Sequence, residues 1–290
     1  METKYKSVYK SSDDRNKLMD LYNKVLNNWP VQFTEIDIES KYGKTHIIKC
    51  GNQNEKPVIL FHGTGNNSLM WRYNCEELGK KYSLYLVDTI NDPGKSEQSN
   101  LFNPQLNYSD WINDLFSQLG LRSASIIGHS KGGWLALNSV IKIQEKIDKV
   151  VLLAPAIGIN EKLSMQFLLK SISVGINPSY KNIEKYFRYM SCPGKIPNKQ
   201  YIEYVSTLVK GTKAKPIKHR QFSDDELKGI QKPVFLMFGE YEVCNDYKAV
   251  IKRAKALINN LRYEIIPNAG HGLQGDNPEL INKLIIAFLY

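Results

Sequence analysis

Nowhere does this chain hold an apolar run near the ~18 consecutive residues that a membrane-crossing helix needs, so a transmembrane protein is not expected. Cysteine is sparse: Cys50, Cys75, Cys192 and Cys244 stand singly, without C-x-x-C spacing. That pattern excludes a disulfide framework and a cysteine-rich zinc module, and it suits free thiols in a reducing compartment. No H-E-x-x-H or other metal-ligand spacing occurs, so neither a metal nor a cofactor is expected. The opening residues, Met1-Glu2-Thr3-Lys4-Tyr5-Lys6, are polar with no apolar stretch behind them. A secretory signal is therefore not expected, and a cytoplasmic location is. Internal repeats and low-complexity tracts are lacking as well.

What is present is ordinary in bulk and uneven in charge. The 290 residues are 42% hydrophobic and 23% charged, enough for a sizeable core in one large domain or in a core with an inserted lobe. The net charge is +10, and between Glu161 and Lys232 there are 14 Lys/Arg against 6 Asp/Glu, a surplus of eight in that one segment. These cations are spread out and no nucleic-acid motif accompanies them, so no nucleic-acid partner is expected. A solvated basic face is the plain reading, and attraction of acidic substrates or of a polyanionic surface is the other.

Apolar periodicity divides the chain. Leu18, Leu21, Tyr22, Val25 and Leu26 fall at helical spacing and predict a helix over 12–27, ended by Pro30. Thr34, Ile36 and Ile38 alternate with acidic residues and predict a half-buried strand, paired across Tyr42-Gly43-Lys44 with a second strand over 45–50. From Pro57 the rhythm changes. Short continuous apolar strands at 58–61, 84–87, 125–127, 150–153, 234–238 and 263–266 alternate with helices near 70–81, 110–119, 132–144, 246–258 and 278–289. Such an alternation predicts a mostly parallel sheet of about eight strands covered by helices on both faces. The rhythm breaks only between Pro155 and about Pro233, an interval with its own helical apolar runs, read as an inserted helical lid. The expected divisions are a helical extension at 1–30, a core of 31–155 and 224–290, and a lid at 156–223. Tyr186, Phe187 and Tyr189 are expected to form the lid's own core.

Gly128-His129-Ser130-Lys131-Gly132 follows a short apolar strand and opens a helix, the build of a nucleophile elbow. Alone, such a string arises by chance about one time in ten in a chain this long. A serine hydroxyl needs a neighbouring base, and of five histidines, His62 and His129 adjoin strand-end glycines in the wrong place for one. His46 belongs to the hairpin and His219 to the lid, which leaves His271 in Gly270-His271-Gly272, after the last strand. The base in turn needs a carboxylate. Glu242, three residues past the strand-ending Gly239, is best placed, with Glu240 and Asp246 competing. A tetrahedral oxyanion requires backbone donors held ready. The amides of Lys131 and of Thr64, in His62-Gly63-Thr64-Gly65, are the candidates. Asp92-Pro93-Gly94-Lys95-Ser96 imitates the end of a phosphate-binding loop, but the required earlier glycine is Thr89 and polar loop sequence follows.

Together His62-Gly63-Thr64-Gly65, the Asp88…Ser96 loop, the serine elbow, Gly239-Glu240-Tyr241-Glu242, and Gly270-His271 followed by Asp276-Asn277-Pro278 resemble the α/β-hydrolase superfamily. More narrowly, Asp88-Thr89 leading to Asp-Pro-Gly-Lys-Ser, with Gly-Glu-x-Glu-Val after a later strand, is similar to bacterial carboxylesterase-like hydrolases. That resemblance implies the α/β-hydrolase fold and a serine hydrolase that cleaves small to medium carboxylic esters through an acyl-enzyme, under a helical lid. Ser130 would be the nucleophile, His271 the base and Glu242 the acid, and the partner a small-molecule ester. Amide or peptide hydrolysis, lipase action and C–C bond hydrolysis on the same residues are the alternatives, and a non-catalytic binding module is a further one. The oligomeric state is not legible. Two features depart from the usual pattern: the acid is Glu rather than Asp, and Lys131 follows the nucleophile. The Lys131 side chain is expected to snorkel outward; a second reading puts its ammonium near the pocket, favouring substrates that carry a carboxylate.

Overall fold

The computed structural model describes residues 7–100, 102–103, 107–156, 158–160, 163–195, 198–213 and 219–290. Glu161, Lys162, Lys215 and Lys218 of the basic segment lie outside them. In chain order the elements are α1 (Ser12–Leu26), β1 (Phe33–Ser40), β2 (Gly43–Gly51), β3 (Pro57–Phe61), α2 (Cys75–Gly79), β4 (Ser83–Val87) and β5 (Glu97–Gln98). Next come α3 (Tyr108–Gln118), β6 (Ala124–His129), α4 (Lys131–Lys142), β7 (Ile147–Leu153), α5 (Met165–Ile176), α6 (Tyr180–Met190) and α7 (Lys199–Gly211). The chain closes with α8 (Asp224–Lys228), β8 (Val234–Gly239), α9 (Tyr247–Leu257), β9 (Leu261–Ile266), α10 (Leu273–Asp276) and α11 (Pro278–Leu289).

The strands form one sheet in the order β1-β2-β4-β3-β6-β7-β8-β9, with the short β5 paired beside β2. β1, β2 and β4 are joined antiparallel, and every pairing from β4 to β9 is parallel. This is the mostly parallel sheet of about eight strands that the apolar runs predict. Ile59, Leu60, Phe61, Ile126, Ile127, Leu152, Leu153, Leu236 and Met237 are wholly buried. Consecutive side chains of a strand point to opposite faces, so burial of successive residues means cover on both sides.

The expected helix at 70–81 is split. A 3-10 turn over Ser68–Tyr73 is followed by the short α2. The break falls at Asn74, whose buried side-chain amide donates to Asn282 Oδ1 (2.8 Å) and to Gln274 O (3.2 Å), so tertiary bonds hold the chain in place of helical ones. Three helices, α5 to α7, fill the interval between β7 and α8. They build a small core of Val174, Ile183 and Ile202 with Tyr186 and Phe187 packed on it, whereas Tyr189 stays half-buried beneath Lys170. The N-terminal segment is stitched to this group: Lys10 N donates to Gly211 O and Lys213 N to Val8 O, each at 2.8 Å. Among the described residues, no helix is long and apolar enough to cross a membrane.

Candidate active site

Ser130 stands between the end of β6 and the first turn of α4, with φ 52° and ψ −113°. A non-glycine residue there holds on the order of 1–3 kcal/mol of backbone strain and persists only where its surroundings enforce it. Ser130 N donates to Leu153 O (2.9 Å), and Ser130 O accepts from Ala156 N (3.0 Å) and Trp134 N (3.2 Å). The glycines around it are steric requirements. A Cβ on Gly132 would lie 2.0 Å from Phe61 O, so only glycine lets α4 start this close to β3.

His271, in the loop between β9 and α10, is buried. Its Nδ1 faces Glu242 Oε2 at 2.8 Å and Oε1 at 3.1 Å, and the Glu242 side chain is fully enclosed. The other two carboxylates of the β8 loop turn elsewhere: Glu240 accepts from Asn268 N (3.2 Å), and Asp246 caps α9 at Ala249 N (3.1 Å). Burial by itself would push the His271 pKa down, but the neighbouring Cys244 and Glu242 outweigh it and hold the ring well above its ordinary value. Glu242 is held below the usual carboxylate range, because the charge and hydrogen bond of His271 overcome the burial that would raise it. The His271 loop is fixed by its backbone. His271 N donates to Met190 O at the end of α6 (2.7 Å), Gly270 N to Asp276 Oδ2 (2.9 Å), and His271 O accepts from His129 Nε2 (2.9 Å).

Through that last bond the residue before Ser130 touches the backbone of His271, and the two imidazole rings stand 5.0 Å apart. The Ser130 hydroxyl makes no hydrogen bond to His271 in this structure; such contacts are often long without substrate and tighten when it binds. The third segment also meets the elbow. A Cβ on Gly63 would lie 3.5 Å from Ser130 Cβ, so the loop after β3 passes beside the serine one residue before the exposed Thr64. Lys131 is the first residue of α4, where backbone amides have no intrahelical acceptor.

The side chain of Lys131 contradicts both sequence expectations. It neither snorkels outward nor offers a free cation to a substrate. It is 0% exposed, its ammonium pairs with the carboxylate of Asp92, and it lies 5.3 Å from the centre of the Tyr108 ring. Burial would lower the pKa of this group, and the facing Asp92 more than compensates and raises it. Sequence reading failed here because the partner lies 39 positions away, in a loop whose sequence does not show which side chain it will face. That loop instead wraps a buried acid: Asp88 accepts from Lys95 N (2.7 Å), Ser68 N (2.9 Å) and Tyr22 Oη (3.2 Å).

The remaining histidines are structural neighbours. His62 accepts from Thr89 N (2.9 Å) and burial keeps it neutral, His129 is pushed down to about 3 by burial and by His271, and His219 is stacked on Trp134 and pushed down to about 4 by burial. His46 pairs with Asp37 on the hairpin (2.8 Å). Cys244, whose amide donates to Glu242 Oε1 (2.6 Å), is a site neighbour that sequence reading did not single out. Glu242, Cys244 and His271 bring donor atoms of metal-binding type within 4.8 Å of one another. Glu242 and His271 already bond to each other, as an acid–base pair does.

A family model described as alpha/beta hydrolase fold matches residues 56–175. A Bacillus subtilis protein named uncharacterized carboxylesterase nap is 27% identical over 289 residues, 97% of this chain and 95% of its own length. Carboxylesterase YbfK of the same organism is 29% identical over 275 residues, 92% of each chain. The crystal structure of naproxen esterase (carboxylesterase NP) from B. subtilis superimposes with a TM-score of 0.89 at 27% identity, over 97% of this chain and 100% of that one. With this sheet order, the strained Ser130 turn and likeness over nearly the full length, the chain has the α/β-hydrolase fold and resembles bacterial carboxylesterases.

Proposed function

We propose that this protein is a serine carboxylesterase acting on small to medium esters through an acyl-enzyme. The observation that carries the reading is the enclosed His271–Glu242 pair, 2.8 Å apart, held by backbone bonds beside the strained Ser130 turn. The likeness to proteins named carboxylesterases supports ester cleavage over amide, lipid or C–C bond hydrolysis.

In the proposed cycle Ser130 Oγ attacks the ester carbonyl and its proton passes to His271 Nε2. Glu242 keeps Nδ1 protonated and stabilises the imidazolium. The amides of Lys131 and Thr64 hold the oxyanion. Collapse expels the alcohol, which takes the proton back from His271. Water, deprotonated by His271, then attacks the acyl carbonyl, and the acid leaves as the Ser130 Oγ–carbon bond breaks and Oγ takes the proton back from His271. The helices within 156–223 act as a lid: α6 contacts the His271 loop through Met190 O, and Phe167 of α5 stands 6.4 Å from the His271 ring, which supports their shaping the acyl or alcohol site. Free cysteines at all four positions fit a cytoplasmic location.

Hydrolysis of p-nitrophenyl acetate and butyrate by Ser130→Ala tests the reading. The expected loss is on the order of 10⁶ in kcat, and retained hydrolysis would discard Ser130 as the nucleophile. Labelling by a fluorophosphonate probe should vanish in the same variant.

A further inference from the structure

We propose that Asp92 and Lys131 form a positioning strap that ties the two donors of the oxyanion hole to each other; this rests on Ser130, Thr64 and Lys131 acting as described above. A single carboxylate reaches both halves of the hole. One oxygen of Asp92 pairs with the ammonium of Lys131, whose own amide is the donor at the start of α4. The other accepts a hydrogen bond from Gly65 N (3.3 Å), one residue beyond the Thr64 amide. Lys131 is wholly enclosed and Asp92 is 5% exposed, so the link is shielded from water and salt. The ring of Tyr108 backs the ammonium.

The tie adds to the loop's own turn, in which Asn66 N donates to Gly63 O (3.3 Å). Thr64 is exposed, and beyond the adjoining Thr64 and Asn66 no atom lies within 4 Å of where a side chain on Gly65 would begin. Its neighbouring side-chain anchors go to α7 and to the β4 loop: Asn66 Nδ2 donates to Tyr201 Oη (2.9 Å), and Asn67 bonds Pro93 O (3.2 Å) and Tyr204. Neither of these two side-chain anchors ties the loop to the start of α4. α4, by contrast, is buried along its length. The Lys131 side chain leaves that buried helix and reaches the Thr64 loop through Asp92. Oxyanion donors act only when held within about half an ångström of the productive position. A buried ion pair is seldom the most stable filling for such a space, and apolar residues of equal volume often do as well or better. Its use here is geometric.

The test is kinetic, on Lys131→Met, Asp92→Ala and the double variant, with each rate divided by the active sites titrated by a fluorophosphonate. A trifluoromethyl ketone serves as transition-state mimic. Ser130 Oγ adds to its carbonyl carbon, the proton goes to His271, and the resulting alkoxide occupies the hole. Each single variant should lose tenfold or more in kcat with KM within about threefold. The ketone should weaken by the same factor, and the double variant should be no worse than the poorer single one. Asp92→Asn/Lys131→Gln keeps the volume without buried charge and covers the case in which the others do not fold. It should keep more of kcat than Asp92→Ala, because Asn can still accept from Gly65 N. Folded variants whose titrated kcat stays within twofold of the parent would overturn the strap, as would losses that multiply in the double variant. Ser130→Ala run alongside separates the two failures. Retained hydrolysis there removes the nucleophile reading, whereas an inactive Ser130→Ala beside unaffected strap variants removes the strap alone.

Discussion

Glu242 shows how a side chain acquires a role from its surroundings. Three carboxylates lie in one short loop, and only this one is turned inward, sealed from water and bonded twice by His271. Replacing it by Gln preserves size and removes the charge. The expected loss in kcat/KM is roughly 10²–10⁴, the effect that removing the acid has in serine triads. The pH profile should move too. In the proposed cycle the base must be neutral to accept a proton, so activity in the parent should fall as His271 protonates. Since the charge of Glu242 helps hold its pKa above the ordinary imidazole value, the acid limb of kcat/KM should be displaced upward from that of a free imidazole. Without the carboxylate charge, burial dominates and lowers the pKa of the ring, so the limb of Glu242→Gln should shift to lower pH. An unchanged limb would separate Glu242 from the base. Glu240→Gln, on the surface and bonded to Asn268, should leave both rate and profile as they are.

At the scale of elements, the site is a meeting of loops rather than of helices or strands. The His271 loop is clamped from both sides. Gly239, at the end of β8, lies so close that a Cβ there would come 2.3 Å from Ala269 O, and α6 hands Met190 O to the His271 amide. Asp276 of α10 holds the same loop through Gly270 N and faces Lys195 across 3.5 Å. Asp276→Ala leaves that amide without its acceptor and should lower stability by about 1–3 kcal/mol. For a chain of this size each kcal/mol is about 2–4 °C in Tm. kcat should fall more than KM changes, since the imidazole loses its fixed approach to Ser130. Asp276→Asn, which keeps an acceptor, should recover most of both. Calorimetry with steady-state kinetics on the pair checks this, and equal kcat in Asp276→Ala and the parent would show the clamp to be dispensable.

The whole molecule ties its N-terminus into the same construction. α1 buries Leu18, Tyr22 and Leu26, Tyr22 Oη reaches Asp88 behind the elbow, and Tyr9 Oη donates to Gly94 O (2.7 Å). The segment that reads as an extension therefore braces both the Asp88 loop and α7. Burying three such side chains contributes roughly 5–9 kcal/mol, comparable with the entire stability of an ordinary domain. A chain beginning at residue 29 should accordingly fail to show a cooperative urea transition. Full-length Tyr22→Phe should unfold cooperatively with a loss of about 1–2 kcal/mol. A truncated chain with the midpoint of the parent would return this segment to the status of an appendage.

Much of this was legible in the chain itself. Continuous apolar runs such as Val58-Ile59-Leu60-Phe61 demand cover on both faces, so the parallel sheet follows from composition and period alone. The glycines around Ser130 announce a turn where backbone must approach backbone, and the shortage of histidines singles out His271 by elimination. Local order stops there. That Glu242 and not Glu240 turns inward depends on the packing of the β8 loop against a loop 29 residues on. Lys131 and Asp92 are ordinary polar residues in sequence, and only the approach of the β4 loop to the first turn of α4 makes them an enclosed pair. Periodicity reports which face of an element is buried. It carries no information about which distant side chain is waiting there, because that is set by the order of strands in the sheet and by the loops their ends bring together.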